Sequence, residues 1–266
     1  MKKTIYSVIA VALCFSAVST PAHADSKSLV IIDSYFDSRV ISGNVSCITL
    51  DNQACTDIVK TIPASLSDNV NHGDAMVEVA KKQNPGVSII AIRAGIPNTK
   101  SVSDVNAGNF IEALKWVSAH ASSVSAVSIS RYFNGMSPCT PSSINTAPYG
   151  GVQKADAMIR NQIATLASQG IPVFASTGNT KGTTISYPAC ILDTKSVSVG
   201  ALNKAGVVVS SYAADVNTDY FASSSVYSYK SPILGIIPNT TSAGTAAVAA
   251  KFVSNTLDNK FVNVLQ

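Results

Sequence analysis

Apolar residues along this chain gather in short, largely unalternated runs at positions 29–32, 87–92, 124–129, 171–175, 197–199 and 207–209. Runs of this length, rich in β-branched residues, predict strands buried on both faces of a parallel sheet. Between them the period lengthens. Residues 74–82 space Met76, Val77 and Ala80 on one helical face, and Pro85-Gly86 stops the segment. Residues 109–119 do the same with Phe110, Ala113, Leu114 and Val117, and residues 155–168 with Ile159, Ile163 and Leu166 before Gly170. Strands and amphipathic helices in alternation predict an α/β layered fold in one domain. Two stretches break the rhythm. Residues 34–71 hold two cysteines and many polar side chains and read as a long excursion with a hairpin. Residues 134–151, rich in Pro, Ser, Thr and Gly, read as a surface loop.

The N-terminus changes the picture of where the chain works. Lys2 and Lys3 precede an apolar run over residues 5–18, then Ser19-Thr20-Pro21 and Ala22-His23-Ala24. This is the pattern of a secretory signal peptide, with cleavage expected after Ala24. The run is short for a bilayer span, and Leu13 is a poor neighbour for a lipid anchor on Cys14. Removing residues 1–24 from the 266 leaves 242, residues 25–266, enough for one large core. The net charge of +4 falls to about +2 without Lys2 and Lys3, so neither charge nor a basic run recruits nucleic acid. No membrane association is expected after signal removal.

Export also sets the reading of the cysteines. Four remain, Cys47, Cys55, Cys139 and Cys190, an even number suited to an oxidising compartment. Three pairings are open. The local-first one joins Cys47 to Cys55 and Cys139 to Cys190. Neither pair has the close spacing of a zinc hook.

Three polar residues stand at positions where chemistry is often placed. Asp33 follows the run 29–32, where a strand-end cap is the plainer role. His72 opens the helix over 74–82. Ser242 heads a small-residue helix, Ala243-Gly244-Thr245-Ala246-Ala247-Val248-Ala249-Ala250, where an N-cap is the plainer role, one that nearby Ser and Thr could also fill.

Taken in order, these pieces resemble the subtilisin-like serine proteases. Asp33-Ser34 looks like the family's aspartate motif and Asn71-His72-Gly73-Asp74 like its histidine motif. Ala175-Ser176-Thr177-Gly178-Asn179 resembles the stretch ending in the oxyanion-hole asparagine, and Thr241-Ser242-Ala243 the nucleophile signature. Tyr187-Pro188-Ala189 and Val197-Ser198-Val199-Gly200-Ala201 are similar to secondary family elements. The resemblance covers nearly all of the mature chain. It implies a three-layer fold with a mostly parallel central sheet flanked by helices, and peptide hydrolysis by Asp33, His72 and Ser242 with Asn179 in the oxyanion hole. It further implies substrate contacts from Ser130, Arg131, Tyr132, Ser176, Thr177 and Gly178, and it places Cys139 and Cys190 in segments flanking the first substrate pocket.

Departures from the family pattern qualify the activity. Asp74 stands where threonine is usual, as a helix-start acid or a perturber of His72. Ala243-Gly244 and Ala246-Ala247 thin the nucleophile helix. Arg131-Tyr132-Phe133 replaces Leu-Gly-Gly, so side chains stand where open backbone would meet the substrate. The first strand begins just after the expected cleavage site, leaving no room for an inhibitory folding pro-domain. Unaided folding, disulfide support, or a separate chaperone or inhibitor are the alternatives. No cofactor is expected: Asp51, Asp57 and Asp68 are candidates for a structural calcium, but no stretch has an oxygen-ligand spacing and they read as solvated acids. The leading function is a monomeric exported serine endopeptidase acting on peptides or proteins. A catalytically silent homologue that binds a protein partner and a serine esterase are the alternatives.

Overall fold

The computed structural model describes residues 27–36, 43–55, 72–95, 105–130, 139, 146–179, 185–191, 196–209, 218–223, 230–231, 235–236 and 240–256. Residues 1–24, where a signal peptide is expected, lie outside them, as do Arg131, Tyr132 and Phe133. Among the described residues no helix is long and apolar enough to cross a membrane.

The apolar runs form the expected sheet. Seven strands, β1 (Ser28–Asp33), β2 (Val45–Thr49), β3 (Ile89–Arg93), β4 (Val124–Ile129), β5 (Val173–Ser176), β6 (Ser196–Leu202) and β7 (Tyr220–Ser223), lie in the order β2-β3-β1-β4-β5-β6-β7. Every neighbouring pair in this sheet is parallel. A separate antiparallel pair joins β8 (Lys230–Ser231) to β9 (Gly235–Ile236). The described helices are α1 (His72–Gln83), α2 (Ala107–Ala119), α3 (Val152–Ser168) and α4 (Thr241–Val253).

Strand alternation sorts the core into two layers. Leu29 and Ile31 of β1 face a cluster that includes Met76, Val77, Val79 and Ala80 of α1 and Ala246 to Ala250 of α4. Val30 and Ile32 face Phe110, Leu114, Val117, Ile159, Ile163 and Leu166 of α2 and α3. Both faces of the sheet are thus covered, which is why β1 is an unbroken apolar run from Leu29 up to Asp33. This is the three-layer arrangement expected. Helix α4 is buried continuously from Thr241 to Ala250. Larger side chains would hold it off the sheet and α1, so the small-residue sequence follows from its central position.

Two expectations need correcting. Residues 207–209 are not a sheet strand: Asn203 N–H bonds the Val207 carbonyl at 2.8 Å and Val208 makes a single antiparallel bridge to Leu202, while Val207 is 59% exposed. The run is a turn returning from β6. The seventh strand is β7, whose short segment Tyr220-Phe221-Ala222-Ser223 is too small to announce itself by pattern. Within the long excursion, residues 45–49 pair in parallel with β3 before a tight turn returns the chain, with Cys55 N–H on the Cys47 carbonyl at 3.1 Å.

The disulfides are Cys47–Cys55 and Cys139–Cys190, the local-first pairing. The second is tied to α3. Arg160 Nη2 donates to the Cys139 carbonyl at 3.4 Å, Arg160 Nε to Asp156 Oδ2 at 2.8 Å, and the Tyr187 hydroxyl to Asp156 Oδ1 at 3.0 Å. Asp51 accepts a short hydrogen bond from the Thr49 hydroxyl; Asp57 and Asp68 lie outside the described residues.

Candidate active site

In an open parallel sheet, ligands meet the carboxyl ends of the strands where the strand order reverses. Here that point is the seam between β1 and β4, because the chain leaves β1 toward β2 and β3 on one side and places β4 on the other. Asp33 ends β1 and Ser130 follows β4.

Asp33 is fully buried. Its backbone is fixed by the Ala94 N–H on the Asp33 carbonyl at 2.8 Å and the Gly95 N–H on the Ser34 carbonyl at 3.1 Å, which carry the β1–β3 ladder past the strand end. One carboxylate oxygen, Oδ1, accepts the Ser34 N–H at 2.7 Å and the Ser34 hydroxyl at 3.3 Å. The other, Oδ2, lies 2.7 Å from His72 Nδ1. These bonds replace the water that a buried carboxylate loses. A carboxylate at Nδ1 makes that nitrogen the proton carrier and leaves Nε2 as the acceptor.

His72 can come this close because of Gly73. A Cβ there would stand 2.3 Å from the Tyr35 carbonyl oxygen and 2.8 Å from the Phe36 ring. The start of α1 therefore rests directly on the backbone that follows Asp33. Asp74 is buried in the first turn of α1, where the helix dipole favours an acid, and Lys81 and Lys82 occupy the last turn. Arg93, in register with Asp33 on β3, is also buried, its guanidinium 6.0 Å from the Tyr35 ring centroid. Burial pulls that guanidinium below its ordinary value, opposed by Tyr35 and Asp51.

The head of α4 assigns separate tasks to three adjacent hydroxyls. Thr240 is the N-cap, its side chain accepting the Ala243 N–H at 3.1 Å. The capping role that Ser242 could have filled is thus taken. Thr241 donates through both its N–H (3.0 Å) and its hydroxyl (2.9 Å) to Asn179 Oδ1, and its hydroxyl oxygen accepts the Gly178 N–H at 3.2 Å. The Ser242 hydroxyl donates to the Ser130 carbonyl at 2.8 Å, and the Ser130 hydroxyl donates back to the Ser242 carbonyl at 3.0 Å. Among the described residues no hydrogen bond joins Ser242 to His72.

A backbone N–H can only donate, so the bond from Thr241 fixes the Asn179 side chain with its oxygen toward α4 and its NH₂ away from it. Asn179 is exposed. It is delivered by Gly178, whose φ of 104° turns the chain off β5 in a conformation that favours glycine. Ser176 and Thr177 are buried at the end of β5, with Thr177 N–H on the Val199 carbonyl at 3.0 Å. The Ser242 N–H lies in the first helical turn, where no intrahelical acceptor exists. Asn179, held by Thr241, and the Ser242 N–H thus both belong to the N-terminal end of α4.

The structure brings Asp33 to His72, Asn179 to Thr241, and Ser242 to Ser130. Sequence reading passed over the bonds of Ser34 to Asp33 and the double bond of Thr241 to Asn179. Both partners are ordinary hydroxyl residues beside the motif, and the signal for each was only adjacency.

No protein-family model matches the chain, and no curated protein does. Solved structures do. The nisin leader peptidase NisP from Lactococcus lactis is 12% identical, with a TM-score of 0.57 over 86% of this chain and 77% of its own. The prenylagaramide maturation protease PagA is 13% identical, with a TM-score of 0.57 over 85% and 73%. The patellamide maturation protease PatG is 11% identical, with a TM-score of 0.58 over 86% and 75%. At these identities the likeness is one of fold, and the fold is subtilisin-like.

Proposed function

We propose that the chain is an exported serine endopeptidase. The observation that carries this reading is the 2.7 Å contact between buried Asp33 and His72 Nδ1, which leaves Nε2 as a base. In the proposed mechanism His72 takes the proton of Ser242 as Oγ attacks the peptide carbonyl, then gives it to the leaving amine. Asp33 holds the tautomer and stabilises the imidazolium. These are the roles that an aspartate, a histidine and a serine take in a subtilisin-type triad. The NH₂ of Asn179 and the N–H of Ser242 donate to the oxygen on which charge develops. In this reading the substrate groove runs past the ends of β4 and β5, beside Ser130, Ser176, Thr177 and Gly178; Arg131 and Tyr132, outside the described residues, remain candidates for substrate contact by sequence position alone.

Peptide cleavage is favoured over ester cleavage because the similar folds are those of peptidases. Export is supported by two disulfides, which persist in oxidising compartments. The test is cleavage of an unfolded protein by signal-processed material. Cleavage that Ser242→Ala abolishes is expected; equal cleavage by that variant overturns the reading.

One observation favours a second reading, a silent homologue that binds a protein partner: the Ser242 hydroxyl is directed at the Ser130 carbonyl. Partner binding unchanged in Ser242→Ala, with no turnover in the parent, is the outcome that supports it.

A further inference from the structure

We propose that Arg93 receives a carboxylate of the substrate, so that the site selects peptides carrying Asp or Glu within about three residues of the bond it cleaves. The inference rests on the serine-peptidase reading above and deepens it.

Arg93 is a buried cation that no anion neutralises. It is the last residue of β3 and only 8% exposed, at the rim of the sheet. Its Nη1 is buried without a hydrogen-bond partner, and among the described residues no ion pair reaches the guanidinium. The acids on the strands beside it are engaged in other bonds. Asp33 uses Oδ1 for Ser34 and Oδ2 for His72. Asp51, past the end of β2, is exposed and accepts from the Thr49 hydroxyl. Tyr35 offers the face of its ring, with the guanidinium carbon 6.0 Å from the centroid. An unpaired charge is among the costliest groups a fold can bury, and an apolar side chain of similar length would spare that cost. The position is therefore best explained by an anion that arrives with the substrate.

Strand alternation puts this cation on the same side of the sheet as the candidate dyad. Leu29 and Ile31 of β1 and Ile89 and Ala91 of β3 all pack into the layer of α1 and α4, so Asp33 and Arg93, two residues further on, emerge on that face. The two residues are in register, one strand spacing or about 4.8 Å apart. On the other side of β1, Ser130 follows β4 and accepts the Ser242 hydroxyl. The row from Arg93 through Asp33 to Ser130 thus spans two strand spacings, about 10 Å, along the carboxyl edge where such sheets meet their ligands. An extended peptide advances about 3.4 Å per residue, so an acid within about three residues of the bond at Ser242 covers that span. A guanidinium presents paired N–H donors that match the two oxygens of a carboxylate. The amide of Gln has one oxygen to offer and no charge.

The test places Glu or Gln, one position at a time, over that stretch on either side of the scissile bond in a peptide the parent protein cleaves. At one position Glu is expected to exceed Gln by about ten- to a hundredfold in kcat/KM, the scale of a hydrogen bond to a charged group. Arg93→Gln is expected to bring that ratio to about one, and Arg93→Lys, which keeps the charge without the fork, to leave it in between. Equal kcat/KM for Glu and Gln at every position overturns the proposal, as does a preference that survives Arg93→Gln; the ratio on the parent decides the matter even where the variants do not fold. A second arm reads the site without turnover, by capture of a randomised peptide library on immobilised Ser242→Ala protein. Enrichment of Asp and Glu supports the proposal, and its absence overturns it. Acidic enrichment with no cleavage by the parent leaves the carboxylate site standing while the peptidase reading falls; cleavage with no acidic preference does the reverse.

Discussion

Replacing Gly73 by alanine sets two physical effects against each other. In a helix, alanine is favoured over glycine by about 1 kcal/mol, so local propensity alone predicts a more stable protein. The packing predicts the reverse. The added Cβ would stand 2.3 Å from the Tyr35 carbonyl oxygen and 2.8 and 3.0 Å from two Phe36 ring carbons. Relief requires about 1 Å of separation. The Tyr35 side of the contact is anchored, because the preceding residues Asp33 and Ser34 are bonded to Ala94 and Gly95. The start of α1 must therefore move, and it carries His72. A contact of 2.7 Å stretched by that amount leaves hydrogen-bonding range. Overpacking costs about 1–3 kcal/mol, which outweighs the propensity gain, and a 1 Å misplacement at a reacting group costs about a hundredfold in rate. Urea unfolding and kcat/KM on a peptide substrate, measured on the same preparation of Gly73→Ala, read both consequences. A variant more stable than the parent with unchanged kcat/KM would refute the claim that Gly73 seats the histidine.

Three further outcomes follow from named contacts. Asn179→Ala is expected to lower kcat by about a hundred- to a thousandfold with little change in KM, the typical cost of losing one oxyanion-hole donor; a change confined to KM would place Asn179 in ground-state binding instead. Replacing both Cys139 and Cys190 by serine opens a 51-residue separation and should cost about 4 kcal/mol on the loop-entropy scale, against about 2.5 kcal/mol for Cys47 and Cys55 with their separation of 8, as read by denaturant unfolding. Burial, and then its hydrogen bond to Glu112, pushes the Tyr149 phenol from 10.0 up to about 12. Folding thus favours the neutral phenol, so its contribution is full below pH 10 and declines as pH rises toward 12; the stability difference between the parent and Tyr149→Phe should shrink across that window, and a difference that grows there contradicts the assignment.

How much of this was legible beforehand depends on the kind of signal. Buried parallel strands announce themselves by composition, and β1, β3, β4 and β5 lie where the apolar runs predict. The helices begin two or three residues earlier than the apolar spacing indicates, at His72, Ala107 and Val152, because a first turn belongs to the helix whether or not it repeats that spacing. Residues 207–209 misled because β-branched residues suit an exposed turn return as well as a strand, and only partners distinguish the two. Strand β2 was hidden by its alternation of buried and exposed residues, an edge-strand pattern inside a polar stretch. At the candidate site, residue types and order were visible in the sequence, whereas the donor directions were not. That Thr240 caps α4, Thr241 orients Asn179 and Ser242 faces Ser130 depends on side-chain rotamers, which no spacing rule encodes.

The central claim is that Ser242 is a nucleophile activated by His72 and Asp33. Its most direct measurement is covalent labelling of the protein spanning residues 25–266 by a fluorophosphonate, with the adduct located by peptide mass mapping. The account predicts a single adduct on Ser242 that His72→Ala and Asp33→Ala each slow by orders of magnitude. An adduct on another residue, or labelling of Ser242 at a rate indifferent to His72, would contradict it.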